Sequence, residues 1–180
     1  MIVENGTGTK HALEVGSDGK ASVDSRSADQ AYHVSKDAGL AYVATSIDTA
    51  ASAEMTAYLK NTDPDRDMII RSIRCGNVVT TLYKLHLVTG TSSTSAMVPV
   101  NKNLGSTNTA LATANGNAAL TGLTSSAVLG ILRVPATDSR AFELEGELRV
   151  PVNVAIAVES DTTAGGIEEI EINFFYEAKQ

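Results

Sequence analysis

From Phe142 to Val158 every even position is apolar or glycine: Phe142, Leu144, Gly146, Leu148, Val150, Val152, Val154, Ile156 and Val158. The odd positions between them begin Glu143, Glu145, Glu147, Arg149, Pro151 and Asn153. Successive side chains of a strand point to opposite faces, so a period of two predicts antiparallel β-structure with one buried and one wetter face. At roughly 3.3 Å per residue the run would reach about 55 Å. An ordinary strand is much shorter, which predicts a bend or bulge at Gly146 or Pro151 and passage from one sheet to the next there. The same alternation recurs where Ile170, Ile172, Phe174 and Tyr176 face away from Glu169, Glu171, Asn173 and Glu177. That spacing predicts a last strand pairing back across the turn-rich segment Ser160 to Gly166.

Earlier in the chain the strand signals are shorter. Ala12–Val15 and Ala21–Val23 flank Gly16-Ser17-Asp18-Gly19, a hairpin pattern, and Ser25 to Gln30 reads as a loop. Ala31–Val34 and Leu40–Ile47 have strand propensity. Glu54–Lys60 and Met68–Arg74 flank a connector containing Pro64 and several Asp residues, which predicts a second hairpin. Tyr83, Leu85 and Leu87 alternate with Lys84 and His86 in a strand expected to be central, with His86 on its wetter side. Gly90 to Ser126 consists almost wholly of Ser, Thr, Ala, Asn and Gly, which predicts a long loop, with a short helix around Thr109 to Ala119 as one option. Ala127 to Val134 is again strand-like and is stopped by Pro135. The fold class expected is all-β: an antiparallel β-sandwich, jelly-roll-like, with a long Ala/Thr/Ser-rich loop. Residues 1–10 read as an N-terminal arm and 11–180 as a single domain.

Composition narrows the function. A net charge of −7 disfavours nucleic acid and anionic membrane surfaces, which need clustered Lys and Arg. No apolar run is long enough to span a bilayer as a helix, and Met1 to Asn5 lacks the pattern of a secretory leader. The single cysteine, Cys75, rules out an internal disulfide and reads as a small buried side chain.

Candidate chemistry is sparse. His11, His33 and His86 have no metal-ligand spacing, and no nucleophile elbow, phosphate-binding glycine loop or His-Glu-x-x-His occurs. Glu143, Glu145 and Glu147 read as a solvated row of charge on a strand. Asp63, Asp65 and Asp67 alternate as in a calcium loop, but Pro64 and the absence of the loop's Gly and distal Glu make them a turn. No catalytic residue, cofactor or metal is expected. A connection as long as Gly90 to Ser126 favours a partner-facing surface, and the candidate interface residues are Pro99, Asn101, Asn103, Leu104, Ser106, Leu111, Leu120 and Leu123.

Val98-Pro99-Val100-Asn101-Lys102-Asn103-Leu104-Gly105-Ser106, together with Leu59-Lys60-Asn61-Thr62 and Gly16-Ser17-Asp18-Gly19-Lys20-Ala21, resembles small all-β structural proteins of tailed bacteriophages that coat or cement the capsid. The resemblance implies a virion protein, made in the host cytoplasm and acting by assembly. It implies a homo-oligomer, with a trimer as one option, bound to a major capsid protein or another virion protein, and no catalytic residues. Two rival classes stay open. A receptor- or glycan-binding module of a phage tail or neck would show a shallow site lined by Tyr with Asp or Asn nearby. A small enzyme would show a pocket holding titratable groups of shifted pKa.

Overall fold

A computed structural model describes residues 2–4, 10–12, 38–50, 53–93, 96–161 and 166–179. The strands are β1 (Ile2–Glu4), β2 (Lys10–Ala12), β3 (Ala41–Ala50), β4 (Glu54–Asn61), β5 (Arg66–Asn77), β6 (Thr81–Ser93), β7 (Val100–Asn101), β8 (Ala112–Val134), β9 (Asp138–Val150), β10 (Ala155–Ser160) and β11 (Gly166–Ala178). The chain is all-β, with two antiparallel sheets packed as a sandwich. One is five-stranded, in the order β7-β3-β11-β5-β9; the other closes on itself as β10-β4-β8-β6. β1, in the predicted arm, pairs with β2, which begins at the arm's last residue and runs past it to Ala12, as a separate two-stranded sheet. The predicted hairpin over Ala12–Val23, the loop Ser25–Gln30 and the strand Ala31–Val34 lie outside the described residues, save for Ala12 at the end of β2.

The long alternating run behaves as its period demands. Phe142, Leu144, Leu148, Val150, Val154, Ile156 and Val158 all belong to, or pack against, the main core between the sheets. The run is broken twice. The register between β5 and β9 shifts between the pairs Ile70–Leu148 and Ser72–Glu143, so the strand bulges between them. At Pro151 the chain leaves β9, and Asn153, with φ of 66°, turns it into β10 of the other sheet. The first is a bulge within β9 and the second a bend between sheets, and the apolar even positions on either side of both face the same core.

Two pairing expectations and one loop expectation are corrected. β11 does not pair back onto β10 but lies between β3 and β5, so the Ser160–Gly166 connection crosses between sheets. Glu54–Lys60 and Met68–Arg74 likewise belong to opposite sheets. Apolar inward residues of both strands, Leu59 and Ile70 among them, face one shared core, which strands on opposite sheets satisfy as well as hairpin partners. The expected loop over Gly90–Ser126 is largely strand: β6 runs on to Ser93, and β8 occupies Ala112 to Val134 with no helix at Thr109–Ala119. Small residues suffice there because β8 is held by backbone pairing, first to β4 and then to β6, and leaves much of its surface to solvent. At the start of the second pairing, where the register shifts between Thr121 and Leu123, Gly122, with φ of 81°, supplies a bend that a residue with a Cβ rarely adopts.

That bend creates a second, smaller core. Tyr58, Val88, Leu120, Ala155 and Ala157 are buried together, with Met55 and Leu123 packed against them. Consecutive residues of β4 and β10 are therefore buried on both faces.

Candidate interaction surface

The segment Ala96 to Leu111, between β6 and β8, contains most of the candidate interface residues and has a defined shape built by short polar side chains. Asn101 Oδ1 accepts the Asn103 N–H at 2.9 Å and Asn103 Oδ1 accepts the Gly105 N–H at 3.1 Å. Ser106 Oγ accepts the Asn108 N–H at 3.1 Å. Asn and Ser side chains favour such turns because their oxygens reach backbone N–H groups two residues ahead. The loop is also tied to the β3 end of the sandwich. Asn101 Nδ2 donates to Gly39 O at 2.7 Å and to Asn108 O at 3.0 Å, Asn108 Nδ2 donates to Ala38 O at 2.8 Å, and the Lys102 N–H donates to Ala41 O at 2.9 Å.

On this frame Met97 is buried in the main core, but other apolar side chains point outward. Leu104 is 88% exposed and Val98 77%, with Val100 and Leu111 also exposed. Pro99, Asn101, Asn103 and Ser106 are half-buried within the same segment. Leu120 and Leu123 are not part of it, because they fill the second core. Val128, Leu129 and Ile131, which the reading of the sequence did not single out, are exposed on β8. The signal available was an apolar cluster in a charge-free stretch running from Asn103 to Leu132.

A groove of about 560 Å³ lies on the outer face of the five-stranded sheet, with Gly76, Val78 and Ile167 among the residues that line it. Arg74, Asp138, Ser139, Glu169 and Glu171 border it, and Arg74 donates to Ser139 Oγ through Nε at 3.2 Å and Nη2 at 2.8 Å. The Ser139 hydroxyl thus faces a guanidinium, which cannot act as its general base.

His86 is buried at 3% exposure, which corrects the expectation of a wet face: Ser125 of β8 and Glu159 of β10 lie against its ring from the flanking strands. Its Nδ1 lies 2.7 Å from Ser125 Oγ, while Nε2 is within 3.2 Å of Glu159 Oε2 without hydrogen-bond alignment. Cys75 is fully buried, and burial pushes its thiol well above the ordinary range, with Glu168 adding to the shift. Asp63 forms the turn anticipated for it, accepting the Asp65 and Arg66 N–H groups and the Arg66 Nε. Tyr42, Tyr58, Tyr83 and Tyr176 are each at most 2% exposed, so none of them offers a stacking platform for a sugar. Among the described residues no group of three or more His, Cys, Asp or Glu is gathered for a metal. No family model, curated protein or solved structure matches the chain.

Proposed function

We propose that the chain is a non-enzymatic structural protein of a tailed-phage virion, a decoration or cement protein that stabilises the head through protein–protein contacts. The observation that carries this reading is the Val98–Leu111 segment, internally bonded and tied to β3, yet presenting Leu104 almost wholly to solvent. An ordered loop that displays a large apolar side chain loses little conformational entropy on docking, which suits a surface built to be covered. The charge-free stretch from Asn103 to Leu132 in an otherwise acidic chain also favours contacts made by close packing over ion pairing. On a repeated lattice such contacts gain strength by avidity, so no single strong anchor is needed.

Cosedimentation with purified heads of the virus that carries the gene tests the reading. The wild-type chain is expected to pellet with heads in stoichiometric amount, and Leu104→Asp to stay largely in the supernatant while keeping its β circular dichroism. Failure of the wild-type chain to bind heads, or binding to host-surface glycans instead, would overturn it.

A further inference from the structure

At one end of the sandwich four elements bring polar side chains onto a buried carboxyl. Glu168 of β11 is 1% exposed. Its Oε1 accepts the amide of Asn77 at 2.8 Å and the hydroxyl of Ser160, and Asn77 also bonds Thr81 Oγ1 at 2.8 Å. Strands β5, β6, β10 and β11 are thereby joined across both sheets. Its other oxygen, Oε2, is buried with no hydrogen-bond partner. Directly opposite on β3, in register with Glu168, stands Asp48, whose Oδ2 is also buried without a hydrogen-bond partner.

Two carboxylates opposite each other on neighbouring strands repel, and an ion buried without a counter-charge is costly. The acidic group Glu54 of β4 adds to the repulsion on Glu168, while Cys75 of β5 and Tyr83 of β6, the other titratable neighbours, are both pushed upward by burial and are neutral. None of the ion pairs among the described residues includes Glu168.

We propose that Glu168 is held as a neutral acid opposite Asp48 in the folded chain, and that loss of its proton loosens the end of the sandwich where β5, β6, β10 and β11 are joined. Burial, foremost, and then the acidic neighbours push the Glu168 carboxyl up to about 7 from its ordinary 4.5, against the opposing pull of Ser160 and Asn77. A carboxyl that titrates higher in the folded than in the unfolded state binds more protons when folded. Its contribution to stability is therefore complete below pH 4.5, falls as pH rises through about 7, and is gone above that. The chain is thus tighter at mildly acidic pH and looser above neutrality.

Thermal unfolding of wild type and Glu168→Gln between pH 4 and pH 9 tests this, alongside carboxyl-carbon NMR titration of the wild-type chain. Glu168→Gln mimics the neutral acid, so the two melting points should agree near pH 4, and the variant's advantage should open between pH 4.5 and about 7 and hold level above that. The Glu168 resonance should titrate near 7, and Asp48→Asn, by removing the opposing charge, should lower that midpoint. A Glu168 midpoint in the ordinary range, or a melting-point difference that does not change with pH, would overturn the proposal. So would a calcium-dependent rise in stability that needs both Asp48 and Glu168, which would make the pair a cation site.

Discussion

Gly39 and Ser106 are in contact across the junction between β3 and the Val98–Leu111 loop. A Cβ built on Gly39 would lie 2.7 Å from Ser106 Cβ, and Gly39 has φ of 59°. Both facts require glycine, one by space and the other by backbone conformation. Its carbonyl is also the acceptor for Asn101. Gly39→Ala should cost about 1–2 kcal/mol from the left-handed conformation alone, with a steric part added. Ser106→Gly in the same chain should recover only the steric part. Denaturant unfolding measures both, and amide exchange at Asn103 to Asn108 should accelerate in the single variant. Equal stability of Gly39→Ala and wild type would show that the loop is not seated on β3.

Ile156 is 1% exposed and faces the main core from β10, whereas Val152, four residues earlier on the same parity, is half-buried in the turn between sheets. Ile156→Ala should destabilise by about 2–4 kcal/mol through lost transfer energy and the cavity left behind. Val152→Ala should cost no more than about 1 kcal/mol. Chemical denaturation checks the pair. A loss below about 0.5 kcal/mol at Ile156 would mean that the cavity closes fully or that the position is not core.

The contrast between these two positions shows what was legible in the sequence. Alternation from Phe142 to Val158 marks the inward face because a buried row must repeat every two residues, and glycine and proline mark where the strand breaks. It does not say which strand lies alongside. β11 and β10 carry strong alternation and stand on different sheets, since a turn-rich connector serves a crossing between layers as well as a hairpin. The first part of β8, Ala112 to Ser126, escaped notice for the opposite reason. Its ladder is made by backbone groups, and Ala, Thr, Ser and Gly fit a strand that is mostly solvent-facing and sharply bent. The candidate surface was half legible: Asn101, Asn103 and Ser106 announce turns, but whether Leu104 or Leu120 points outward depends on where β8 folds over.

Asp63 is 1% exposed, and Arg66 Nε donates to its Oδ2 at 2.8 Å. Its Oδ1 accepts two backbone N–H groups, so the carboxylate carries the connector from β4 to β5. Asp63→Ala should cost about 2–3 kcal/mol, because charge-assisted bonds are lost and the donors of a partly buried turn are left unpaired. Thermal unfolding at neutral pH checks the value. A change under 0.5 kcal/mol would show that solvent replaces the carboxylate at this turn.

The second half of β8, from Thr121 onward, pairs with β6 on one side and with no described strand on the other. Free edges of sheets are normally blunted by charge, shortness or bulges. Among the other edges here, β9 carries Asp138, Arg140, Glu143, Glu145, Glu147 and Arg149, and β7 has only two residues. Thr121 to Leu132 has no charge at all, and Val128, Leu129 and Ile131 are 52%, 45% and 62% exposed. In a chain of net charge −7, self-association is opposed by repulsion everywhere except at such a neutral stretch. A strand added to this edge would gain main-chain hydrogen bonds and cover the apolar side chains together. The wild-type chain is therefore expected to sediment as a homo-oligomer whose mass rises with concentration, a trimer among the options. Leu129→Lys combined with Ile131→Lys should shift it to monomer with an unchanged β circular dichroism spectrum, since both side chains already reach water and a lysine stem can lie along the same apolar surface, so folding stability should change by no more than about 1 kcal/mol each. A wild-type chain that is monomeric at all concentrations, or a double variant that keeps the oligomer mass, would show that the β8 edge is not the contact.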